Sequence, residues 1–211
     1  MNHMQNIWQQ QLQDVSLLKN ISLTSDQITK LVDFMSMLQF WNKKHNLTRI
    51  MPDDYVSKHI VDSLSLIDVV ANNKFLDVGS GAGFPGIPLS IVADNTSAVL
   101  LDVAPKRCGF LRQVISELGL NNIQVVESSI EKYVPEQLFQ VVVTRAFASL
   151  EKTVILTKHV VATDGNIWCM KAKISQEELS KVNCEYDLVP HKSYDNKAKR
   201  CLIKLRPFAA K

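Results

Sequence analysis

Residues 75–90, from Phe75 to Ser90, read FLDVGSGAGFPGIPLS, and this stretch decides the fold. Phe75, Leu76 and Val78 are apolar and β-prone, as in a strand buried on both faces. Asp77 then precedes four closely spaced glycines, Gly79, Gly81, Gly83 and Gly86. A residue without Cβ permits a sharp turn or a close approach of backbone to ligand, so a loop ends the strand here. Pro88 suits the first turn of a helix continuing through Leu89, Ser90 and Ile91. Strand, glycine loop and helix in this order form the ligand corner of a doubly wound sheet.

The spacing narrows the ligand. A dinucleotide fingerprint beginning at Gly79 needs its third glycine at position 84, where Phe84 stands. No phosphate-loop Lys-Ser/Thr pair follows either. The pattern is D-x-G-x-G-x-G from Asp77 through Gly79 and Gly81 to Gly83, and it resembles the first motif of S-adenosylmethionine (SAM) methyltransferases. That resemblance implies a loop holding the methionine half of SAM, a cofactor without pyrophosphate.

A chain of 211 residues accommodates one α/β domain with a few extra helices. Its 46% hydrophobic and 21% charged residues are ordinary for a globular protein. No apolar run reaches membrane-spanning length and the N-terminus is too polar for a signal peptide, so a cytoplasmic location is expected. Cys108, Cys169, Cys184 and Cys201 lie far apart without C-x-x-C, which indicates neither a metal site nor a disulfide framework. The net charge of +3 is too small to announce a nucleic-acid partner by itself. Any polyanion-binding surface is therefore local; candidate patches are Lys43, Lys44 and Arg49, then Lys106, Arg107 and Arg112, then Lys171 and Lys173, and finally Lys197, Lys199 and Arg200.

Taken in order, the chain predicts a helix over 5–18. A second starts at a capping box, Thr24 with Gln27, and runs to about Lys44 with Ile28, Leu31, Val32, Met35, Leu38 and Trp41 at helical spacing. Asn46 is turn-prone. Pro52, Asp53 and Asp54 open one further helix to about Val70. Residues 1–72 thus form a helical N-terminal extension, and 73–211 the main domain. There, strands are expected at 98–101, 123–126, 139–144, 166–170, 184–189 and 200–205, with helices at 106–118, 150–161 and 175–181 between them. Asp102, about twenty residues beyond the glycine loop, stands where a ribose-binding carboxylate belongs, or else caps the next helix. Ser128 to Glu131 open the loop that would face an adenine. Arg145 ends the fourth strand, at the edge where open α/β sheets bind ligands.

Several blocks resemble one family: the glucose-inhibited division protein B family of bacterial small-subunit (16S) ribosomal RNA guanine-N7 methyltransferases. They are Trp41-Asn42 with Asn46-Leu47-Thr48, His59 to Ser63, the glycine stretch through Pro88, Leu101-Asp102 with Lys106-Arg107 and Phe110 to Arg112, and Arg145 to Ala148. The resemblance implies a Rossmann-like class I SAM-dependent methyltransferase fold, a mostly parallel sheet with an antiparallel last strand. It implies SAM contacts at Gly79, Phe84, Ile130, Glu131 and Arg145, with Asp102 on the ribose. It also implies methyl transfer to a guanosine of small-subunit ribosomal RNA, on the RNA or the assembled subunit; a monomer without metal or membrane is expected. Guanine N7 carries a lone pair and no proton, so no general base is expected. Lys171, Lys106 and Arg107 are expected to grip RNA phosphates, Arg145 to hold the cofactor carboxylate, a phosphate or O6, and Asn46 with His59 to line the target pocket or tie the helices to the sheet. Phe84, Phe147 and Trp41 are candidate stacking platforms for the base. Departures from the family are Ala172, Thr144 and the Val103-Ala104-Pro105 link. Two alternatives stay open on the residues alone: a methyltransferase of another substrate, and a non-catalytic SAM-binding assembly factor.

Overall fold

The computed structural model describes residues 3–19, 21–93, 95–190 and 200–209. Lys197 and Lys199, and the polar turn expected before the last strand, lie outside them. Helix α1 spans His3–Lys19 and α2 Ser25–His45. The α2 start is fixed by a reciprocal cap in which the Gln27 N–H donates to Thr24 Oγ1 (3.2 Å) and the Thr24 N–H donates to Gln27 Oε1 (2.9 Å). It ends at Asn46, whose left-handed φ of 50° turns the chain away.

One α2 face buries Ile28, Leu31, Val32, Phe34, Met35 and Leu38. These pack against Trp8, Leu12 and Val15 of α1, and against Phe84, Ile87, Phe110 and Leu111 from the main domain, in one continuous core. Helical extension and sheet domain are thereby joined without an interior boundary. The buried Trp8 indole donates to the Pro52 carbonyl at 2.9 Å and so satisfies its N–H inside this core.

The helix expected over 52–70 is instead four pieces: a 3₁₀ turn Pro52–Asp54, a π-helical turn Val56–Ile60, α3 Val61–Leu64 and α4 Ile67–Val70. The apolar positions serve two cores. Val56, Ile60 and Leu64 enter the cluster with α2, while Leu66 and Val70 enter another with Phe75, Leu89 and Val143. A straight helix reaches only one. Hydroxyl bonds from Ser63 to the His59 carbonyl and from Ser65 to the Asp62 carbonyl, both 2.7 Å, compete with helical pairing at the break.

Strands β1 Lys74–Val78, β2 Ser97–Asp102, β3 Ile123–Glu127, β4 Phe139–Arg145, β5 Val161–Lys171, β6 Glu185–Val189 and β7 Cys201–Arg206 form one sheet in the order β3-β2-β1-β4-β5-β7-β6. The first five are parallel, and β7 runs antiparallel between β5 and β6. Helices α5 Gly86–Val92, α6 Pro105–Leu118, α7 Leu150–Thr157 and α8 Gln176–Ser180 cover the faces. Strand side chains alternate between two cores: Leu76, Val78, Val99 and Leu101 on one face, Phe75, Ala98, Val141 and Val143 on the other. In β1, β2 and β4 both faces are largely buried, which is why these strands are mostly apolar. The chain runs outward from β1 to β3, then restarts on the other side of β1 at β4. This reversal opens a crevice beyond the C-terminal ends of β1 and β4.

Candidate active site

A cleft of about 450 Å³ occupies that crevice. Its floor begins at Gly79, whose φ is 72° and where an added Cβ would lie 3.0 Å from the Phe147 ring. The loop is held open from beneath. Gly79 N–H donates to the Leu101 carbonyl at 2.8 Å, and Gly81 N–H donates to Asp102 Oδ2, also at 2.8 Å. Asp102 Oδ1 accepts from Ala104 N–H at 2.9 Å, and the Arg107 guanidinium stands 3.6 Å from Oδ2. One carboxylate thus ties the glycine loop to the residue before α6 while lining the cleft.

Ile130 and Glu131 stand on the opposite wall, with Phe147 and Ala148 from the segment after β4. The Glu131 carboxyl is held below the usual range by hydrogen bonds from its own backbone N–H and the Ser129 hydroxyl. Apolar walls with a carboxylate at each side fit an adenine and its ribose, and the Cβ-free surface at Gly79 leaves room for the sulfur-bearing arm. The residues present therefore fit SAM.

Gly83, with φ 89°, has no space for a Cβ, which would lie 2.7 Å from Ile87 Cγ1. Beneath the loop, Asp77 is fully buried; its Oδ2 accepts from the Gly86 N–H at 3.0 Å, and Oδ1 has no partner among the described residues. Burial pushes its pKa up to about 7, against the opposing pull of the Gly86 and Ser80 hydrogen bonds. Asp77 braces the loop and is walled off from the cleft.

A second cavity, about 270 Å³, lies on the other side of Ala146, which lines both. Here Arg145 Nη1 donates to His59 Nδ1 at 3.0 Å and to the Lys58 carbonyl at 3.4 Å, with Asp62 Oδ2 3.7 Å away. Its guanidinium lies over the Phe84 ring, 4.9 Å from the centroid. Arg200, entering β7, pairs with Asp62 and donates to the Lys58 carbonyl at 3.2 Å. Because arginine only donates, His59 Nδ1 is bare and Nε2 carries the proton, given to Thr48 Oγ1 at 2.9 Å. Burial, then the charges of Arg145 and Arg200, lower the His59 pKa to about 2, so the ring is neutral.

The expected site residues divide accordingly. Gly79, Asp102, Ile130, Glu131 and Arg107 come together at the first cleft, with Gly81 and Gly83 in the loop behind. Arg145 faces the second cavity, and the Phe84 ring is sealed between His59, Phe34 and Arg145, so it offers no open stacking face. Trp41 packs on Phe110 and His45; Phe147 alone of the three aromatic candidates lines the first cleft. Lys171 borders the second cavity, but its ammonium is bound to the Ala148 carbonyl (2.8 Å) and to Glu178 (2.6 Å). Lys106 is exposed at the start of α6, and Asn46 is the exposed cap residue of α2. Its neighbour Asn42 does more for the site: its amide bonds both the N–H and the carbonyl of Thr48, at 2.8 and 2.9 Å, and so aims the threonine at His59. From the sequence, Thr48 and Asp62 carry no site reading of their own and Arg200 only that of a polyanion-binding patch; the polar pair Asp62-Ser63 inside an otherwise apolar helix pattern is the available signal for Asp62.

The sheet order, the antiparallel β7 and the cleft at the switch point are those of the class I SAM-dependent methyltransferase fold. Solved structures share the fold: precorrin-6y C5,15-methyltransferase from Geobacter metallireducens GS-15, with TM-score 0.54 and 15% identity over 76% of this chain and 90% of that one. A SAM-dependent methyltransferase from Aquifex aeolicus gives TM-score 0.54 and 18% identity over 72% and 91%. The chain belongs to the family described as GidB, rRNA small subunit methyltransferase G, which matches residues 27–202. Relatives bearing the name ribosomal RNA small subunit methyltransferase G include that of Nitrosococcus oceani, 38% identical with 98% of this chain and 99% of the relative covered. That of Psychromonas ingrahamii is 36% identical, with 89% and 92% covered.

Proposed function

We propose that this protein transfers the methyl group of SAM to N7 of a guanosine in small-subunit ribosomal RNA. The family and its named relatives support the substrate. The observation that carries the chemistry is that two titratable groups beside the glycine loop, His59 and Asp77, are already committed. His59 is neutral and bonded at both nitrogens, and Asp77 is sealed beneath the loop. Neither group is placed to take a proton, and N7, which has an in-plane lone pair and no proton, needs none to be taken.

Bound SAM supplies an electrophilic methyl on sulfur. The protein's share is to hold it and to bring the nitrogen in line, and positioning of this kind is worth roughly 7–11 kcal/mol. In this reading Gly79, Gly81 and Gly83 shape the floor, Asp102 accepts from the ribose hydroxyls, and Ile130 with Glu131 frames the adenine. Phe84 acts from behind the loop, and Arg145 stands at its far end without pointing a donor at N7. Lys106 and Arg107 grip RNA phosphates, Asn46 contributes to the substrate side, and Lys171 secures the segment Arg145 to Ala148. One chain supplies every part, so the protein acts as a monomer in the cytoplasm, where the subunits are. Among the described residues no helix is long and apolar enough to cross a membrane.

The test is incubation with methyl-labelled SAM and small subunits that lack the modification, followed by digestion to nucleosides. Label is expected in 7-methylguanosine; label in any other nucleoside, or none in RNA, contradicts the proposal.

A further inference from the structure

The geometry points to the 270 Å³ cavity beyond Ala146 as a guanine-reading pocket, in which Asp62 accepts from the Watson–Crick edge of the target base while Thr48 and Arg200 donate to O6. This rests on the reading of the protein as a guanine-N7 methyltransferase and supplies the residues that choose the base.

Position comes first. Ala146 is the partition between the two cavities, and its φ of 53° is a conformation that a residue with a Cβ rarely adopts. Backbone held this way concentrates at functional sites, and here it leaves only the width of one alanine between the cofactor cleft and the second chamber. The chamber is slightly below the roughly 300–1,000 Å³ of small-ligand sites, which suits a single base and not a whole nucleotide.

Chemistry then selects among bases. Guanine presents acceptors at N7 and O6 on adjacent positions and donors on its other edge, at N1 and N2; adenine carries a donor where guanine has O6. The chamber has matching groups. Asp62 is almost wholly buried on its lining and paired with Arg145 and Arg200, and an ionised carboxylate has about four acceptor directions to offer. Thr48 Oγ1 accepts from both His59 Nε2 and the Ile50 N–H, at 2.9 and 3.1 Å. Its own hydrogen is thus left to donate, and it borders the cavity. Arg145 is the group that stays away from N7: its Nη1 is spent on His59 and the Lys58 carbonyl, and its flat face rests on Phe84. The neutral His59 adds no charge opposite a nitrogen that becomes cationic on methylation. Arg145, Arg200 and Asp62 together leave one positive charge, complementary to the partial charge of O6. Lys171, on the rim, is neutralised by Glu178.

The experiment separates this inference from its parent. Protein saturated with S-adenosylhomocysteine is titrated calorimetrically with guanosine 5′-monophosphate and with adenosine 5′-monophosphate. The guanine nucleotide is expected to bind at least about tenfold more tightly, and Asp62→Asn and Thr48→Val each to remove most of that preference while S-adenosylhomocysteine affinity stays within about twofold. Equal binding, absence of binding by both nucleotides, or a preference that survives both substitutions overturns the pocket. Labelled methyl transfer to small subunits by the same wild-type preparation independently decides the parent reading.

Discussion

The imidazole of His59 lies flat on the ring of Phe84, with centroids 4.1 Å apart and planes 8° from parallel. Through that stack the broken helical segment 52–70 is seated on the glycine loop, and a neutral histidine becomes part of the support of the site. The β1 residue Asp77, on the same support, has its pKa shifted in the opposite direction.

These two groups set the pH response of stability. Burial holds His59 down at about 2 from 6.5 and raises Asp77 to about 7 from 3.8. The His59 contribution is complete above pH 6.5 and is lost as pH falls towards 2. The Asp77 contribution is complete below 3.8 and is lost as pH rises through 7. Over their overlap the slopes cancel, one proton against one. Asp77→Asn removes one side, so its unfolding free energy in urea should drop by about 2 kcal/mol between pH 6.5 and 5.0, with the wild type nearly flat. A variant as flat as the wild type contradicts the assignment.

Gly86 leads into α5 against the buried Asp77, and a Cβ there would lie 2.8 Å from Asp77 Oδ2 and closer still to Leu100. Gly86→Ala should cost about 1–3 kcal/mol by urea titration. Gly109, inside α6 with nothing within 4 Å of a built Cβ, is the contrast: Gly109→Ala should be stabilising by about 0.5–1 kcal/mol. Equal effects at the two glycines would mean that the loop is not packed as described.

Asp102 uses both carboxylate oxygens on backbone N–H groups, at Gly81 and Ala104. Asn offers one acceptor where the aspartate offers two. Asp102→Asn should therefore weaken SAM binding by about tenfold or more, measured by calorimetry, through loss of a charge-assisted bond and a loosened loop. Unchanged affinity would remove Asp102 from the cofactor site.

Salt dependence distinguishes the lysines. Lys106 is open to solvent, whereas Lys171 is tied to Glu178 and the Ala148 carbonyl. Lys106→Ala should reduce the slope of log binding constant against log salt by about 0.7–0.9 in titrations with small-subunit RNA. Lys171→Ala should leave that slope unchanged and instead lower the melting temperature. The reverse pattern would place Lys171 on the RNA.

What was legible in the sequence was local. Thr24 with Gln27 announced the α2 cap and the glycine run the strand-loop-helix corner, because each depends on neighbours within a few residues. The break at Ser65 and Leu66 was not legible, since it arises from two separate cores competing for one helical stripe. Similarly, the helix expected to reach Val161 stops at Thr157; Val161 already pairs with Phe139 at the start of β5. The first cleft was largely readable from motif spacing. The second was not: Asp62 and Arg200 meet only because β7 returns antiparallel beside β5, and no periodicity encodes that return.

The most direct measurement is a single turnover. Protein carrying one equivalent of methyl-labelled SAM is mixed with excess unmodified small subunits, and the RNA is mapped base by base. One labelled guanine, methylated at N7, is the outcome this account requires; label that stays with the protein, or arrives at any other atom, would contradict it.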